Sequence, residues 1–229
     1  NNLSKKTEIP VLSINDAGAG SMTEKELFAA LDFMAPLLKK EARSAELKEI
    51  YLNYKEDLIS RAAELESREN YRSYYIGGIG KRGAQGLTST EAAYPPFEYL
   101  GLENIVEAEE KKNFTINKEE LLIKDPDIIF VDQGGKELVL NDLNREEFSY
   151  LKAYRNNDIY ELLPYNYYTT NFATMFADAY FIGEIIFSGE FIEESASVKA
   201  DQIYESFLGR GVYKEMADIF GGFSRLKLD

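Results

Sequence analysis

The amino-acid sequence predicts an α/β fold in which helices cover a largely parallel sheet. Three observations support this prediction. Strand-like and helix-like segments alternate along most of the chain, the run from Asp127 to Asp132 is apolar throughout its centre, and one long amphipathic segment precedes the alternation. Alternation of the two element types is typical of parallel sheets, and a strand with a continuous apolar run is buried on both of its faces.

The N-terminal elements are predicted from a strand-like run and a capping signal. Residues 8–14 have the composition of a short buried strand, and a glycine-rich turn follows them. Thr23 and Glu26 have the spacing of a capping box, in which each side chain bonds the backbone of the other residue, so a helix should begin there. Proline lacks the backbone N–H group and its ring obstructs the preceding turn, so Pro36 should bend or end this helix.

A second, much longer helix is predicted for residues 41–65, where apolar residues recur every three or four positions. About 25 residues correspond to ~37 Å at the α-helical rise, which is well above the usual helix length. Helices of this length with a charged outer face typically support a core or connect two bodies. We therefore place the one candidate domain boundary of the chain at this helix.

Beyond this helix, strand and helix signals follow one another. Residues 71–76, 127–132 and 158–163 are predicted strands, and Asn117 is expected to cap a short helix that begins after it. The remaining predicted helices span residues 171–187, 197–208 and 212–220. This order predicts a C-terminal lobe with three layers, in which a parallel sheet lies between two layers of helices.

Composition argues against several classes of function. The 229 residues contain 26 lysines and arginines against 40 acidic residues, a net charge of −14, which argues against nucleic acid or an anionic membrane as a broad partner. There is no cysteine and no histidine, which removes disulfides, thiolate chemistry, Ser-His-Asp triads and the commonest zinc ligand. Much of known enzyme chemistry is therefore improbable for this chain. We expect a binding protein that is not an enzyme and that holds no cofactor.

The three predicted strands are associated with three loops of unusual amino-acid composition. Ligands bind outside the carboxyl ends of the strands in an open parallel sheet, so residues 71–90, 133–135 and 164–171 should meet at one edge. The first loop has three basic residues and no acid, the second is Gln-Gly-Gly, and the third is rich in tyrosine, threonine and asparagine. Such groups suit a polar, anionic solute, and they should line one concave surface. The candidate ligand-binding residues are Tyr75, Arg82, Gln85, Ser89, Gln133, Tyr165, Asn166, Tyr168 and Asn171.

These signals also have simpler interpretations. Single tyrosines usually serve packing, and a basic pair is usually a solvated turn. The glycines of residues 78–83 match a dinucleotide-binding pattern, but no helix opens inside the motif, so we do not expect a nicotinamide or flavin. Asp125, Asp127 and Asp132 could be imagined as a magnesium site, although Asp-Pro before a strand is more simply turn chemistry.

Several short motifs have a familiar order and spacing that covers nearly the whole chain. They are Tyr-Ile-Gly-Gly at residues 75–78, Arg-Gly at 82–83 running into Ser-Thr at 89–90, the aspartate-bounded strand at 125–132, the tyrosine-rich loop at 163–171, and segments at 180–183, 199–204 and 220–223. In this order the chain resembles the iron-complex class of ABC-transporter solute-binding proteins. Members of that class bind ferric siderophores, haem or cobalamin, and some relatives bind molybdate or tungstate.

The resemblance implies two α/β lobes joined by one long helix, with the solute held between the lobes. Residues 1–40 would then be the tail of the N-terminal lobe, residues 41–66 the helix between the lobes, and residues 67–229 the C-terminal lobe. On this interpretation most of the first lobe is missing and the chain is a C-terminal fragment. The full-length protein would be extracytoplasmic, either periplasmic or anchored to the membrane as a lipoprotein.

The resemblance also implies partners. The solute would be a ferric siderophore or a similar iron complex, and an ABC permease in the membrane would receive it. In this family a glutamate in a short helix docks on permease arginines, and Glu119 has that position here. An acid in the first turn of a helix also stabilises the helix dipole whatever the partner, so the docking role has a structural alternative.

Other interpretations of the function stay open. A molybdate or tungstate oxyanion would suit Arg82 and the tyrosines as a ferric chelate would. Haem is disfavoured because no histidine is available as an axial ligand, although tyrosine can ligate iron. An enzyme of the nitrogenase-component type is disfavoured because it holds its metal cluster through cysteine and histidine. The remaining alternative is an interaction module that binds no small ligand.

Overall fold

The computed structural model describes residues 2–9, 11, 22–65, 72–80, 83–108, 113–166, 169–187, 191 and 193–228. Its helices are α1 (Asn2–Thr7), α2 (Glu24–Leu38), α3 (Glu41–Leu65), α4 (Pro95–Tyr99), α5 (Lys118–Lys124), α6 (Lys136–Leu143), α7 (Lys152–Arg155), α8 (Phe172–Ile186), α9 (Ala196–Leu208) and α10 (Tyr213–Phe220). Its strands are β1 (Tyr74–Gly77), β2 (Ser89–Glu91), β3 (Asn113–Thr115), β4 (Ile128–Asp132), β5 (Ile159–Leu162) and β6 (Ser224–Arg225), and 3₁₀ turns span Gln133–Gly135 and Glu146–Tyr150.

The main sheet has four strands in the order β1-β4-β5-β6. β1 and β5 both run parallel to β4, with Ile76 opposite Phe130 and Phe130 opposite Tyr160, whereas β6 pairs antiparallel with the outer edge of β5. β2 and β3 form a separate antiparallel pair. The three parallel strands end at the same edge of the sheet, which is called the carboxyl edge below. This topology confirms the predicted, largely parallel sheet.

Both faces of the sheet are buried beneath helices because successive side chains of each strand point to opposite faces. On one face Ile76 and Phe130 share an apolar cluster with buried residues of α3, α4, α8 and α9. On the other face Tyr75, Ile129 and Val131 pack with buried residues of α5, α6 and α7. Two clusters separated by a sheet make the three-layer arrangement that the sequence predicts.

Side-chain caps set the starts of two predicted helices. The Thr23 hydroxyl accepts the N–H of Glu26 (3.3 Å), and the Glu26 carboxylate accepts the N–H of Thr23 (2.8 Å), so the capping box at the start of α2 is present. The Asn117 side chain accepts the N–H of Glu120 (2.7 Å) at the start of α5. Both caps satisfy N–H groups that have no partner within the helix.

The long helix α3 is fastened to the layer formed by α8 and α9. The Arg43 guanidinium donates to the carbonyl of Phe207 (2.8 Å) at the end of α9. Two turns from the other end of α3, the Asp57 carboxylate accepts from Arg61 Nε (2.7 Å) and from the hydroxyl of Tyr180 in α8. These bonds, together with the buried apolar residues of α3, hold this helix against the C-terminal part of the chain. The domain division at this helix stays a prediction.

The N-terminal strand prediction is wrong where the structure describes it. Glu8, Ile9 and Val11 belong to no strand, and residues 12–14 of the predicted run lie outside the described part. The backbone of Glu8 has a φ of 56°, a left-handed conformation that no strand residue adopts, and the Ile9 side chain is 63% exposed rather than buried.

The helix α2 continues two residues past Pro36 and ends at Leu38. Among the described residues, no helix has both the length and the apolar composition that crossing a membrane requires.

Candidate functional site

The first two loops of the carboxyl edge touch each other through a glycine. A Cβ atom added to Gly135 would lie 2.1 Å from the carbonyl oxygen of Gln85 and 2.8 Å from that of Gly78, and both of these are backbone atoms. Only glycine allows so close an approach of two chain segments. Gly135 therefore brings the loop after β1 against the turn after β4.

The second and third loops are joined by Asp132, the last residue of β4. Its carboxylate accepts the N–H of Gly134 (2.7 Å) in the second loop. The backbone of Tyr165 in the third loop lies beside this carboxyl group and acts to lower its pKa. The N–H of Leu163, two residues earlier, donates to the carboxylate of Asp178 in α8 (3.1 Å). Two buried carboxyl groups therefore hold the backbone of the second and third loops in place.

The third loop is also tied to β2 and to the start of α8. The Tyr165 hydroxyl donates to the carboxylate of Glu91, the last residue of β2. The N–H of Asn171 donates to the carbonyl of Tyr165 (2.7 Å), and the Asn171 side chain accepts the N–H of Thr174 (3.3 Å) as the cap of α8. The three loops thus form one continuous structure at the carboxyl edge.

The structure places Tyr75 and Ser89, two of the predicted ligand-binding residues, inside the fold. Tyr75 has no exposed surface, and its hydroxyl donates to the carbonyl of Leu87 (2.8 Å). The Ser89 hydroxyl is buried and donates to the carbonyl of Ile79 (2.8 Å). Both side chains satisfy backbone carbonyls of the first loop and its flank, so they position this loop.

The other candidate residues do lie at the carboxyl edge, but several are buried. Gln133, Tyr165 and Asn166 are 5%, 1% and 7% exposed. Gln133 Nε2 donates to the carbonyl of Gly222 (2.7 Å), and the Tyr165 hydroxyl donates to the Glu91 carboxylate, so these two side chains are held within the fold. That these residues line a concave surface stays a prediction. Gln85 is half-buried and Asn171 is exposed. Arg82 and Tyr168 lie outside the described residues.

Two acidic residues at this edge are not among the candidates predicted from the sequence. Glu91 and Asp178 are almost completely buried beside the third loop. Asp178 carried a usable signal, because it is the first charged residue of a largely apolar helix.

The magnesium site considered for Asp125, Asp127 and Asp132 is not formed. Asp127 lies before β4 and accepts a hydrogen bond from Ser73 (2.9 Å), whereas Asp132 lies at the opposite end of that strand. Among the described residues, no three acidic side chains are grouped so that they could hold a metal ion.

A cavity of about 270 Å³ adjoins the Glu91 side of the edge, between α2, α3 and α4. Its polar wall includes Glu91, a pair of hydroxyl groups from Tyr51 and Tyr99 (2.5 Å apart), and the Lys55–Glu24 ion pair (2.5 Å). Ligand pockets for drug-sized molecules occupy ~300–1,000 Å³. This cavity is therefore large enough for a small ion with its water but too small to enclose a large chelate.

Comparisons with known proteins agree with this architecture. A family model described as periplasmic binding protein matches residues 3–165. The fold is similar to a periplasmic solute-binding protein from Veillonella parvula, with a TM-score of 0.67 and 16% identity over 96% of this chain and 65% of that chain. It is also similar to an ABC-transporter solute-binding protein from Sulfurospirillum deleyianum, with a TM-score of 0.63 and 17% identity over 95% of this chain and 66% of that chain.

A third similar structure is the molybdate-bound periplasmic binding protein of a Haemophilus influenzae ABC transporter. Its TM-score is 0.63 and its identity 16%, over 92% of this chain and 63% of that chain. The present chain thus spans 63–66% of the length of these three proteins. At such identities the similarity shows the fold. A search of curated proteins found no match.

Proposed function

Because the chain belongs to the periplasmic binding protein family, we propose that it serves as the solute-binding component of an ABC importer. In this proposal it binds a ferric siderophore or a similar iron complex and delivers the complex to a membrane permease. It works outside the cytoplasm, as its family does, and it binds its solute without chemical change. The carboxyl edge described above forms one wall of the binding cleft.

The observation that supports this proposal most directly is the meeting of three loops at the carboxyl edge. Open α/β sheets bind ligands outside the carboxyl ends of their strands. Gly135 brings the first loop against the second, and the Asp132 carboxyl group bonds the second loop and lies beside the backbone of Tyr165 in the third. A wall held together from within keeps its shape when a solute leaves, which lowers the ordering cost of binding.

The sequence of the first loop favours an anionic solute. Arg82 follows the buried residues 78–80 and precedes Gln85, whose backbone contacts the second loop. A guanidinium group donates several hydrogen bonds in a fixed planar arrangement, which suits the oxygen atoms of a negatively charged chelate. Arg82 is therefore the residue on which the affinity for such a solute should depend most strongly.

A small oxyanion is the second candidate solute. The cavity beside Glu91 has the volume for an ion of that size, and one of the similar structures is a protein bound to molybdate. The acidic groups of this cavity speak against it, because Glu24 and Glu91 would repel an anion. We therefore keep the iron complex as the first candidate.

Isothermal titration calorimetry tests the proposal. The chain is titrated with a ferric tris-catecholate siderophore, which carries a net negative charge, with haem and with molybdate, each in the same buffer. We expect the ferric siderophore to bind best. Arg82→Ala should weaken this binding by about 10- to 150-fold, because a hydrogen bond to a charged group contributes ~1.5–3 kcal/mol.

Arg72→Ala is the matched control, since Arg72 is an exposed arginine at the opposite end of β1. It should leave the affinity unchanged. Equal weakening by both substitutions would indicate a general effect of net charge. Absence of binding to every solute would contradict the proposed function, and preference for molybdate would assign the second candidate solute.

We also propose that Glu119 contacts the permease. Glu119 is exposed in the first turn of α5. This end of α5 lies near the loops of the carboxyl edge, because the N–H of Ile116 donates to the carbonyl of Thr88 (3.1 Å) at the end of the first loop. A permease that receives the solute from this edge would meet Glu119 beside it.

A further inference from the structure

Two buried carboxyl groups link the loops of the carboxyl edge to the body of the fold. Asp132 is 2% exposed and Asp178 is fully buried. One oxygen of Asp132 accepts the N–H of Gly134 (2.7 Å), and the backbone of Tyr165 lies beside the same carboxyl group. One oxygen of Asp178 accepts the N–H of Leu163 (3.1 Å). Each carboxyl therefore has a backbone amide of the second or third loop as its partner.

The surroundings of these two groups contain acids and phenols. Asp132 lies close enough to Asp178 to affect its ionisation, and both carboxyl groups lie near Tyr94, which follows β2, as does Glu91 at the end of β2. The ionisable groups that face Asp178 from the other helices are Tyr204 in α9 and Tyr213 in α10.

Neither carboxyl group is compensated by a cation within the described part of the chain, where no lysine or arginine forms an ion pair with Asp132 or Asp178. The second oxygen of Asp178 is buried and has no hydrogen-bond partner. Transfer of an ionised carboxylate from water to such a place costs much more free energy than transfer of a protonated carboxyl group, and the backbone amides alone do not offset that cost. The geometry therefore favours the neutral form of both groups.

We propose that Asp132 and Asp178 form a proton-dependent clamp, which holds the turn at Gln133–Gly135 and the segment of residues 163–165 firmly when the carboxyl groups are protonated and loosens them as the groups ionise. The clamp makes the order of the carboxyl edge depend on the pH outside the cell. It concerns the loops of the proposed binding wall, but it needs no particular solute.

Burial raises the pKa of Asp132 from its ordinary value near 3.8 to about 7. Burial, and then the charge of Asp132, raise the pKa of Asp178 well above its ordinary value. The closed state is the one in which the carboxyl group is buried and bonded to the loop. An acid with a raised pKa keeps its proton in this closed state and loses it when the loop opens into water. Its contribution to stability is thus fully present below pH ~4 and is lost as the pH rises through the pKa of the closed state.

Hydrogen exchange measured by NMR tests the clamp directly, because the amides of Gly134 and Leu163 are themselves the bonded groups and the amide of Tyr165 lies beside Asp132. Exchange is followed from pH 4.5 to 8.5 and corrected for the intrinsic rate at each pH. For Gly134 and Tyr165 the opening constant should rise about tenfold per pH unit up to pH 7 and then level off, since one proton leaves per opening. For Leu163 the rise should continue above pH 7.

Asp132→Asn mimics the protonated carboxyl and should therefore fold. In this variant the opening constants of Gly134 and Tyr165 should no longer depend on pH. Asp127→Asn is the control, because Asp127 lies at the opposite end of β4 and its bond to the Ser73 backbone lowers its pKa out of this range. It should leave the slopes unchanged. Opening constants that are independent of pH in the unsubstituted chain, or slopes that persist in Asp132→Asn, would overturn the clamp and leave the proposed function untouched.

Discussion

Tyr165 illustrates how polar side chains are used at the carboxyl edge. Its ring packs against Tyr94 (centroids 5.5 Å apart), and its hydroxyl donates to the Glu91 carboxylate inside the fold. Gln133 is used in the same way, since its amide donates to the carbonyl of Gly222. These residues therefore stabilise the loops of the carboxyl edge. The solute would contact the more exposed groups of this edge, such as Gln85 and Asn171.

Removing the Tyr165 hydroxyl tests this structural role. Tyr165→Phe keeps the ring but leaves the buried Glu91 carboxylate without that donor, which should lower the free energy of unfolding by about 1–3 kcal/mol. Urea denaturation followed by circular dichroism measures the change. Tyr150→Phe is the control, because Tyr150 is 67% exposed, and it should have no effect. Equal stability of the two variants would contradict the structural role of Tyr165.

Residue types at the edge could be predicted from the sequence, but their burial could not. The three loops stand out by composition, and the parallel topology brings their ends together. The hydrogen-bond partners, however, are distant along the chain: Tyr165 and Glu91 are 74 positions apart, and Gln133 and Gly222 are 89 apart. No local pattern shows which polar side chains are paired within the fold and which face a ligand.

At the scale of elements, local signals predicted most helices and the parallel strands. The bounds of α3 agree with the prediction because its apolar repeat is long, and the caps at Thr23 and Asn117 mark their helices. The strands β2, β3 and β6 have only two or three residues. Segments this short carry no periodic signal, so they depend on pairing with distant residues.

The helix α5 carries the prediction on the permease. Glu119→Arg should reduce transport roughly tenfold or more while the affinity for the solute stays the same, because opposite charges at an interface become like charges. Uptake is measured in cells that contain the permease and the complete binding protein. Affinity is measured separately on the purified variant.

Glu41→Arg provides the control for the helix dipole. Glu41 is also an exposed acid in the first turn of a helix, α3. Both substitutions remove the same favourable interaction with the helix N-terminus. If uptake falls equally in the two variants, or stays normal in Glu119→Arg, then Glu119 does not dock on the permease.

The whole molecule combines a packed body of helices and sheet with a set of loops at the carboxyl edge. α3, α8 and α9 share one apolar cluster and are joined by bonds such as Arg43 to Phe207 and Asp57 to Tyr180. The sheet passes through this body and ends at the carboxyl edge, where Asp132 and Asp178 attach the loops. The chain has a net charge of −14, and its proposed solute is also anionic. The electrostatic field of the whole protein therefore repels the solute, so binding must depend on local cations such as Arg82.

We propose above that a solute binds at the carboxyl edge of the sheet. NMR of the ¹⁵N-labelled chain tests this binding site, with the diamagnetic gallium(III) analogue of a ferric tris-catecholate siderophore as the anionic probe. We predict that the amide signals that change on titration cluster at Gln133–Gly135, at residues 163–166 and at Asn171. Signals of Asp127 and Lys152, at the other end of β4, should stay in place. Changes centred on that opposite end, with the carboxyl edge unaffected, would contradict binding at the carboxyl edge.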